Sequence, residues 1–233
     1  MCGRVRLPTD YSELKINAVK DYYRNLKDQR RYNVPPTSIV PALISRNGER
    51  TVEAMRWGLV PSWSRDEKQA FATFNARADT VDVKPTFRSA WQAGQRCLII
   101  TDGFYEWRKT DKQPYAISLG NRSPMLLAGV WDEWRGLKTC TVITTEANAL
   151  LATIHDRMPV IIDSDDWPTW LGESGASLAD VKSLLRPFPP ERMELWPVDK
   201  KVGNVKNEGP ELPDRIELAD DLPSGGLFDR VRS

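Results

Sequence analysis

Five apolar, β-rich runs follow one another between residues 97 and 145, and no helical pattern separates them. They are Cys97–Thr101, Phe104–Lys109, Tyr115–Leu119, Leu126–Trp131 and Thr139–Thr145. Helical patterns occur elsewhere in the chain, but strands and helices do not alternate in the βαβ rhythm of a parallel sheet. The sequence therefore predicts a mixed α+β fold.

The other elements are predicted from periodicity and turn residues. Asn47-Gly48 is the strongest short hairpin signal, and it separates two predicted strands, 38–45 and 50–57. Helices are predicted over 10–27, 86–95, 146–155 and 178–186, and further strands over 3–7, 159–163 and 193–198.

The chain of 233 residues is long enough for one large domain or two small ones. It has no internal repeat and no linker-like stretch before about residue 208, which favours one domain over residues 1–212. Glu208–Ser233 carries seven acidic residues and a Pro-Ser-Gly-Gly break at 223–226. This composition predicts a flexible acidic tail over 213–233.

Several classes of protein are disfavoured by composition. No run of about 18 apolar residues is present, so no membrane span is expected, and the first residues lack the apolar stretch of a secretory signal. The three cysteines, Cys2, Cys97 and Cys140, are sparse and have no C-x-x-C spacing. This argues against a disulfide framework or a zinc site and favours the reducing cytoplasm. We therefore expect a cytoplasmic protein without metal or cofactor.

Charge is distributed unevenly along the chain. Residues 1–100 hold 17 Lys and Arg against 10 Asp and Glu, and the remainder holds 16 against 22, for a net charge of +1. A surface for a polyanion would therefore be local and built largely from the first half. An ordinary scatter of solvated charges explains the same distribution equally well.

Cys2 becomes the first residue if an aminopeptidase removes Met1, as the small size of cysteine allows. It would then carry an α-amine, with a reference pKa of about 7.7–8.0, and a thiol on the adjacent carbon. The amine can add to an aldehyde to give a Schiff base, and the thiol can close a five-membered thiazolidine in an intramolecular step. The alternative is a small residue tolerated at a frayed terminus.

His155 and Glu106 are candidate proton-transfer residues. His155 is the only histidine and lies between a predicted helix and a predicted strand, and its ordinary pKa suits proton transfer near neutrality. The period of two in a strand places Glu106 on the face of Phe104, opposite Tyr105 and Trp107. A carboxylate among aromatic neighbours suits a proton shuttle. A structural histidine and a solvent-facing glutamate are the alternatives.

Two further segments carry groups that suit nucleic-acid binding. Asn75 and Arg77, in Asn-Ala-Arg, offer an amide for hydrogen bonding and a guanidinium for phosphate. Trp57 and Trp63 offer aromatic surface beside arginines, a combination that can stack unpaired bases. A place in the core is an equally good interpretation of Trp57.

Seven short segments together resemble the SRAP family of SOS-response-associated peptidases, or abasic-site processing proteins. In order, they are Met-Cys-Gly-Arg (1–4), Arg-Tyr-Asn-Val-Pro-Pro-Thr (31–37), Arg-Trp-Gly-Leu-Val-Pro-Ser-Trp (56–63), Asn-Ala-Arg (75–77), Asp-Gly-Phe-Tyr-Glu-Trp (102–107), Ile-His-Asp-Arg-Met-Pro (154–159) and Val-Gly-Asn-Val-Lys-Asn (202–207). The resemblance covers about the first 210 residues. It implies one compact α+β domain with a distorted central β-barrel or mixed sheet, flanked by helices, and a basic groove for DNA.

The resemblance also implies an activity in the DNA damage response. Mature Cys2 would crosslink to ring-opened abasic sites in single-stranded DNA and shield them from strand cleavage. Asn75 would position Cys2 or the opened sugar, and Glu106 would move protons during ring opening and Schiff-base formation. His155 would assist acid–base steps, including reversal of the crosslink.

The resemblance also implies which residues would contact DNA. Arg77 and Arg157 would bind phosphates, and Trp57, Trp63 and Arg4 are further contacts. Some family members have an arginine where this chain has Lys84-Pro85, so one phosphate contact would be weaker here or supplied by Arg88.

Two other functions are compatible with the same residues. A thiol peptidase could use Cys2, Glu106 and His155, and removal of Met1 could be its own reaction. A non-covalent binder of single-stranded or modified DNA would use only the aromatic and arginine surface. In each case we expect a monomer. Leu227-Phe228 in the tail is similar to the end of sliding-clamp peptides, which makes the clamp a candidate partner.

Overall fold

Two β-sheets contain most of the regular structure in the computed structural model, which describes residues 2–7, 14 and 31–218. Their strands are β1 (Val5–Leu7), β2 (Arg31–Val34), β3 (Ile39–Arg46), β4 (Glu49–Trp57), β5 (Asn75–Arg77), β6 (Arg96–Thr101), β7 (Gly103–Trp107), β8 (Pro114–Leu119), β9 (Met125–Trp134), β10 (Leu137–Glu146), β11 (Arg157–Pro159) and β12 (Met193–Pro197).

The two sheets differ in strand direction. The smaller is antiparallel, in the order β12-β8-β7-β1-β2. The larger follows the path β11-β10-β4-β3-β6-β9, and β4 and β5 pair with β10 in parallel. Because β9 also pairs with β10, the larger sheet is partly ring-like. The prediction of an α+β fold with a distorted central β-barrel or mixed sheet is confirmed, and the larger sheet is mixed and partly ring-like.

The helices are short: α1 (Pro85–Gln92), α2 (Ala149–Ala152), α3 (Trp167–Trp170) and α4 (Leu178–Ser183). Capping explains why α2 is shorter than the predicted helix 146–155. The side chain of Asn148 accepts a hydrogen bond from the amide of Leu151, so the helix begins at Ala149. Of the helix predicted over 10–27, only Leu14 lies among the described residues.

The predicted strands agree with the structure to different degrees. The hairpin around Asn47-Gly48 is confirmed, with eight paired positions between β3 and β4. The strand predicted over 159–163 was misplaced, because β11 ends at Pro159 and only an isolated bridge from Ile161 continues the pairing. The short strands β2 and β5 were not predicted, since three or four residues give too little periodicity to detect.

β6 and the first half of β9 are buried on both faces of the larger sheet, which explains their continuous apolar runs. On β6, Cys97 and Ile99 face a cluster between the two sheets, whereas Leu98 and Ile100 face a second cluster covered by helices. Cys2 belongs to the cluster between the sheets. Cys2 and the β1 residues Val5 and Leu7 are therefore part of the core.

The segment after β12 packs on the outer face of the smaller sheet. Val198, Val202 and Leu212 form a third cluster with Tyr105 there. The amide of Ile216 donates to the carbonyl of Pro197, so packed structure continues past the boundary predicted at residue 212. Residues 219–233 lie outside the described residues, with the predicted clamp-like Leu227-Phe228.

Position 103 requires glycine, because neighbouring atoms leave no room for a side chain. Its φ is +153°, and a Cβ placed there would lie 2.1 Å from the carbonyl oxygen of Ile117 and 2.2 Å from Nη2 of Arg6. We expect Gly103→Ala to lower the free energy of unfolding by roughly 2–4 kcal/mol, through overpacking and backbone strain. Denaturant unfolding would measure this loss.

Gly136→Ala is the matched control. Gly136 also has a positive φ, +83°, but nothing lies within 4 Å of the position that a Cβ would take there. Gly136→Ala should lower the free energy of unfolding by about 1 kcal/mol, because only the backbone conformation is unfavourable for alanine. Equal losses in the two variants would contradict the importance of the contacts around Gly103.

Candidate active site around Cys2

Cys2 lies three residues before the start of β1 and is fully buried between the two sheets. The strand that follows it is held on both sides, because Val5 is paired with Val34 of β2 and with Phe104 of β7. The amide of Tyr105 also donates to the carbonyl oxygen of Arg4 at 2.9 Å. Backbone pairing thus fixes the position of Cys2.

Asn75 contacts Cys2 from the other sheet. Its Nδ2 donates to the carbonyl oxygen of Cys2 at 2.8 Å, and its Oδ1 is buried without a hydrogen-bond partner. Asn75 begins β5, which is paired with β10 at Val142. The predicted proximity of Asn75 and Cys2 is therefore present in the structure, with one amide oxygen left to bind another group.

Burial raises the pKa of the Cys2 thiol to about 12, and the negative charge of Glu106 contributes in the same direction. Near neutral pH the thiol is therefore protonated in this environment. A thiolate is the reactive form in thiol nucleophiles, so any reaction of this sulfur needs a base beside it.

Glu106 is on the face predicted for it. Phe104 belongs to the cluster between the sheets, whereas Tyr105 and Trp107 belong to the outer cluster, and the side chain of Glu106 is buried. Its Oε1 accepts a hydrogen bond from the amide of Trp107 at 3.1 Å. The charge of this carboxylate influences both Cys2 and His155, which places it near both of them.

His155 lies between α2 and β11, and its side chain is 14% exposed. Its Nδ1 accepts a hydrogen bond from the amide of Arg157 at 3.0 Å. Burial lowers the pKa of His155, against the opposing influence of Glu106, so the imidazole is neutral near pH 7. A neutral ring whose Nδ1 is an acceptor carries its proton on Nε2.

Asp156 is the second neighbour of Nδ1 in His155, at 3.0 Å. The same nitrogen cannot accept from a backbone amide and donate to a carboxylate at one time. The lowered pKa of His155 favours the neutral form, in which Nδ1 is the acceptor. Asp156 is instead paired with Lys109 at 2.8 Å, which joins this loop to the turn after β7.

Arg77 lies two residues after Asn75, and Arg157 lies two residues after His155. Both arginines are paired with residues at the end of β10. Nε of Arg157 donates to Oγ1 of Thr144 at 3.2 Å, and Arg77 is paired with Thr144 in the strand register. Burial and the positive charge of Arg77 both lower the pKa of Arg157, and the two side chains line one surface depression. Arg77 is exposed and paired with Asp79 at 2.7 Å.

Arg4 and Trp57 do not offer the DNA surface predicted for them. Trp57 is 1% exposed, and its Nε1 donates to the carbonyl of Phe74 at 2.8 Å, so the core interpretation is correct for this residue. Arg4 is buried, and its Nη1 donates to Asn33 at 2.6 Å and to the carbonyl of Val202 at 2.8 Å. Both side chains stabilise the fold around the site.

Asn33 connects two of the segments that carry the family resemblance, 31–37 and 202–207. Its Nδ2 donates to the carbonyl oxygens of Val202, Asn204 and Asn207 at 2.8–3.2 Å. These contacts attach β2 to the 202–207 segment and fix the carbonyl that Arg4 also uses. The two motifs therefore support the strand that follows Cys2 and lie outside the reactive group.

Trp63 and Phe71 are exposed, at 57% and 70%. Trp63 agrees with its predicted place on the surface, whereas Phe71 was not predicted. Phe71 and the neighbouring Phe74 occur in one short stretch without clear periodicity, so no signal in the sequence distinguishes the exposed ring from the partly buried one. Both exposed rings belong to the segment between β4 and β5.

Neither a metal-binding cluster nor a membrane-spanning helix occurs among residues 2–7, 14 and 31–218. No group of three or more His, Cys, Asp or Glu side chains in these ranges is arranged to hold a metal ion. None of the helices in this described part has the length and hydropathy needed to cross a bilayer.

Comparisons with known proteins agree on one family. A family model described as SOS response associated peptidase (SRAP) matches residues 1–205. Abasic site processing protein YoaM of Bacillus subtilis is 36% identical over 223 residues, which cover 92% of this chain and 98% of YoaM. Abasic site processing protein HMCES of Gallus gallus is 33% identical over 269 residues, which cover 94% of this chain and 79% of HMCES.

The fold has a solved counterpart as well. A crystal structure of a Bacteroides thetaiotaomicron protein matches with a TM-score of 0.79 at 29% identity, and the match covers 93% of this chain and 100% of that one. Together with a family model that spans most of the sequence, these similarities show that the chain belongs to the SRAP family.

Proposed function

We propose that the protein captures ring-opened abasic sites in single-stranded DNA by a covalent bond to Cys2, after removal of Met1. The supporting observation is the enclosure of Cys2 together with Asn75, Glu106 and His155, beside two arginines. The relatives named above are abasic site processing proteins, which supports the same substrate for this chain.

The reaction needs no oxidant or cofactor. The α-amine of Cys2 adds to the C1′ aldehyde of the opened sugar, and loss of water gives a Schiff base. The sulfur then adds to the carbon of the C=N bond, while the thiol proton is transferred to the nitrogen. The product is a thiazolidine that joins protein and DNA, and its closure is favoured because both reacting groups belong to one residue.

The environment of Cys2 favours this order of steps. Its thiol is protonated near neutral pH, so the amine is the better first nucleophile. Because the charge of Glu106 acts on both Cys2 and His155, we assign to Glu106 and His155 the transfer of the thiol proton to the nitrogen during ring closure and the delivery of a proton to the leaving water. Asn75 orients Cys2 through its carbonyl oxygen, and its buried Oδ1 can accept a hydrogen bond from the sugar.

DNA would be bound by the groups that the structure leaves accessible. Arg77 and Arg157 suit the phosphates next to the abasic nucleotide, and Trp63 and Phe71 offer exposed rings for unpaired bases. A peptidase is less favoured, because a cysteine protease relies on a lowered thiol pKa and that of Cys2 is raised.

Cys2→Ala tests the covalent step. The variant should give no adduct that survives denaturant with single-stranded abasic DNA, since it lacks the thiol that closes the ring. Cys140→Ala is the matched control, because Cys140 is an equally buried cysteine of the same core cluster and should retain the adduct. Intact mass spectrometry would report Met1 removal and DNA capture together.

Two results would count against covalent capture. One is an adduct of undiminished yield in Cys2→Ala. The other is correctly processed wild-type protein that binds abasic DNA but releases all of it in denaturant, which would leave the non-covalent binder as the better function.

Glu106→Gln tests the role of the buried carboxylate. The amide keeps the shape of the side chain but cannot accept the proton, so adduct formation should slow by roughly 100-fold. Glu133→Gln changes an exposed carboxylate on β9 and should leave the rate unchanged. Single-turnover kinetics would measure both rates, and equal rates would remove Glu106 from the mechanism.

Reversal of the adduct should depend on the protonation of His155. Because burial lowers the pKa of His155, the imidazolium forms only below the ordinary value of about 6.5. If the imidazolium supplies the proton that reopens the ring, release should accelerate as pH falls below this value, and His155→Ala should remove the acceleration. A release rate with the same pH profile in both proteins would exclude this role.

A further inference from the structure

A surface depression of about 420 Å³ lies at the end of β10, beside Arg77 and Arg157. Lys182 of α4 and Leu185 also line it. Glu146 and Asp79 also line it, so its charge is mixed. Lys182 is not one of the candidate site residues around Cys2, yet it lines the same depression as Arg77 and Arg157.

Lys182 is held in a defined position. Its Nζ forms a salt bridge with Oδ2 of Asp82, in the segment that connects β5 to α1. The capping box of Ser177 and Asp180 fixes the start of α4, which is one turn before Lys182. The side chain of Lys182 is 42% exposed, so its ammonium group is accessible as well as oriented.

Each of the two exposed cations of the depression has an acidic partner. Arg77 forms hydrogen bonds with both carboxylate oxygens of Asp79, at 3.0 Å and 2.7 Å, and Lys182 is paired with Asp82. Partly exposed ion pairs of this kind contribute little to stability, so a phosphate can replace the carboxylate at small cost. The acids keep the cations in place and weaken their attraction for anions.

We propose that Lys182 binds a phosphate of the DNA strand that leaves the Cys2 site past Arg77 and Arg157, and that Asp82 occupies Lys182 until DNA displaces it. This inference rests on the proposed function and adds a third phosphate contact to it. Two residues of extended chain separate Asn75 from Arg77, or about 7 Å. In this proposal Lys182, on α4, contacts a phosphate further from the abasic nucleotide than the two arginines do.

Equilibrium binding of unmodified single-stranded DNA tests this contact without the covalent step. Lys182→Ala should weaken binding by roughly three- to tenfold at low salt and reduce the slope of log K against log salt by about 0.7, the share of one phosphate. Lys182→Arg should restore both values. Asp82→Asn should tighten binding, because it frees Lys182, and a role limited to stability would not produce that gain.

Lys138→Ala is the matched control, since Lys138 is likewise paired with a carboxylate, that of Glu53, but lies at the other end of β10. It should bind DNA as the wild type does. Losses of equal size in Lys138→Ala and Lys182→Ala, or no gain in Asp82→Asn, would overturn the proposal.

The length of the oligonucleotide separates this inference from the proposed function. With an abasic oligonucleotide too short to cross the depression, Lys182→Ala and wild type should form the adduct at the same rate, and only longer strands should reveal the defect. Equal rates at every length would refute the contact at Lys182 and leave capture by Cys2 standing. A wild type without any adduct would refute the capture, while the binding measurements still decide the contact.

Discussion

The burial of the first strand is the constraint on which the rest of the structure depends. Three residues of β1 lie between β2 and β7, and Arg4 and Arg6 at this strand enter the protein instead of the solvent. The guanidinium of Arg6 donates to Ser118 and to the carbonyl of Ile117, and its carbon lies 5.5 Å from the centre of the Tyr105 ring. Desolvation lowers the pKa of Arg6, a cost that these hydrogen bonds and ring contacts offset.

This arrangement explains how Cys2, a candidate reactive residue near the start of the chain, is held in a fixed position. Terminal residues are usually mobile unless secondary structure holds them. Here Arg4 and Asn33 connect β1 and β2 to the 202–207 segment, which lies almost two hundred residues away in sequence. The carbonyl of Cys2 is also bound by Asn75. The position of the first strand is thus fixed by hydrogen bonds to residues that are distant in sequence.

Much of the fold followed from local patterns, and the parts that did not have physical reasons. The alternation of Phe104 to Trp107 identified the buried face of Glu106 correctly, because strand periodicity depends only on neighbouring residues. Trp57 was ambiguous, since exposure of an aromatic ring is decided by the tertiary partners it meets, here Phe74. The candidate site was recognised from motifs, but no local signal connects Asn75 to the carbonyl of Cys2, because that contact depends on how two sheets pack. The raised pKa of the Cys2 thiol likewise follows from burial that only the assembled core provides.

The candidate site is assembled from two pairs of residues, each attached to a different sheet. Cys2 and Glu106 are positioned by the pairing of β1 with β7, whereas Asn75 belongs to β5 and His155 precedes β11, and both of these strands pair with β10. The gap between the pairs is set by the side chains packed between the sheets, such as Phe104 and Val142. These apolar residues lie in the core between the sheets, so a substitution that changes their volume would alter both the packing of the core and the spacing of the four candidate site residues.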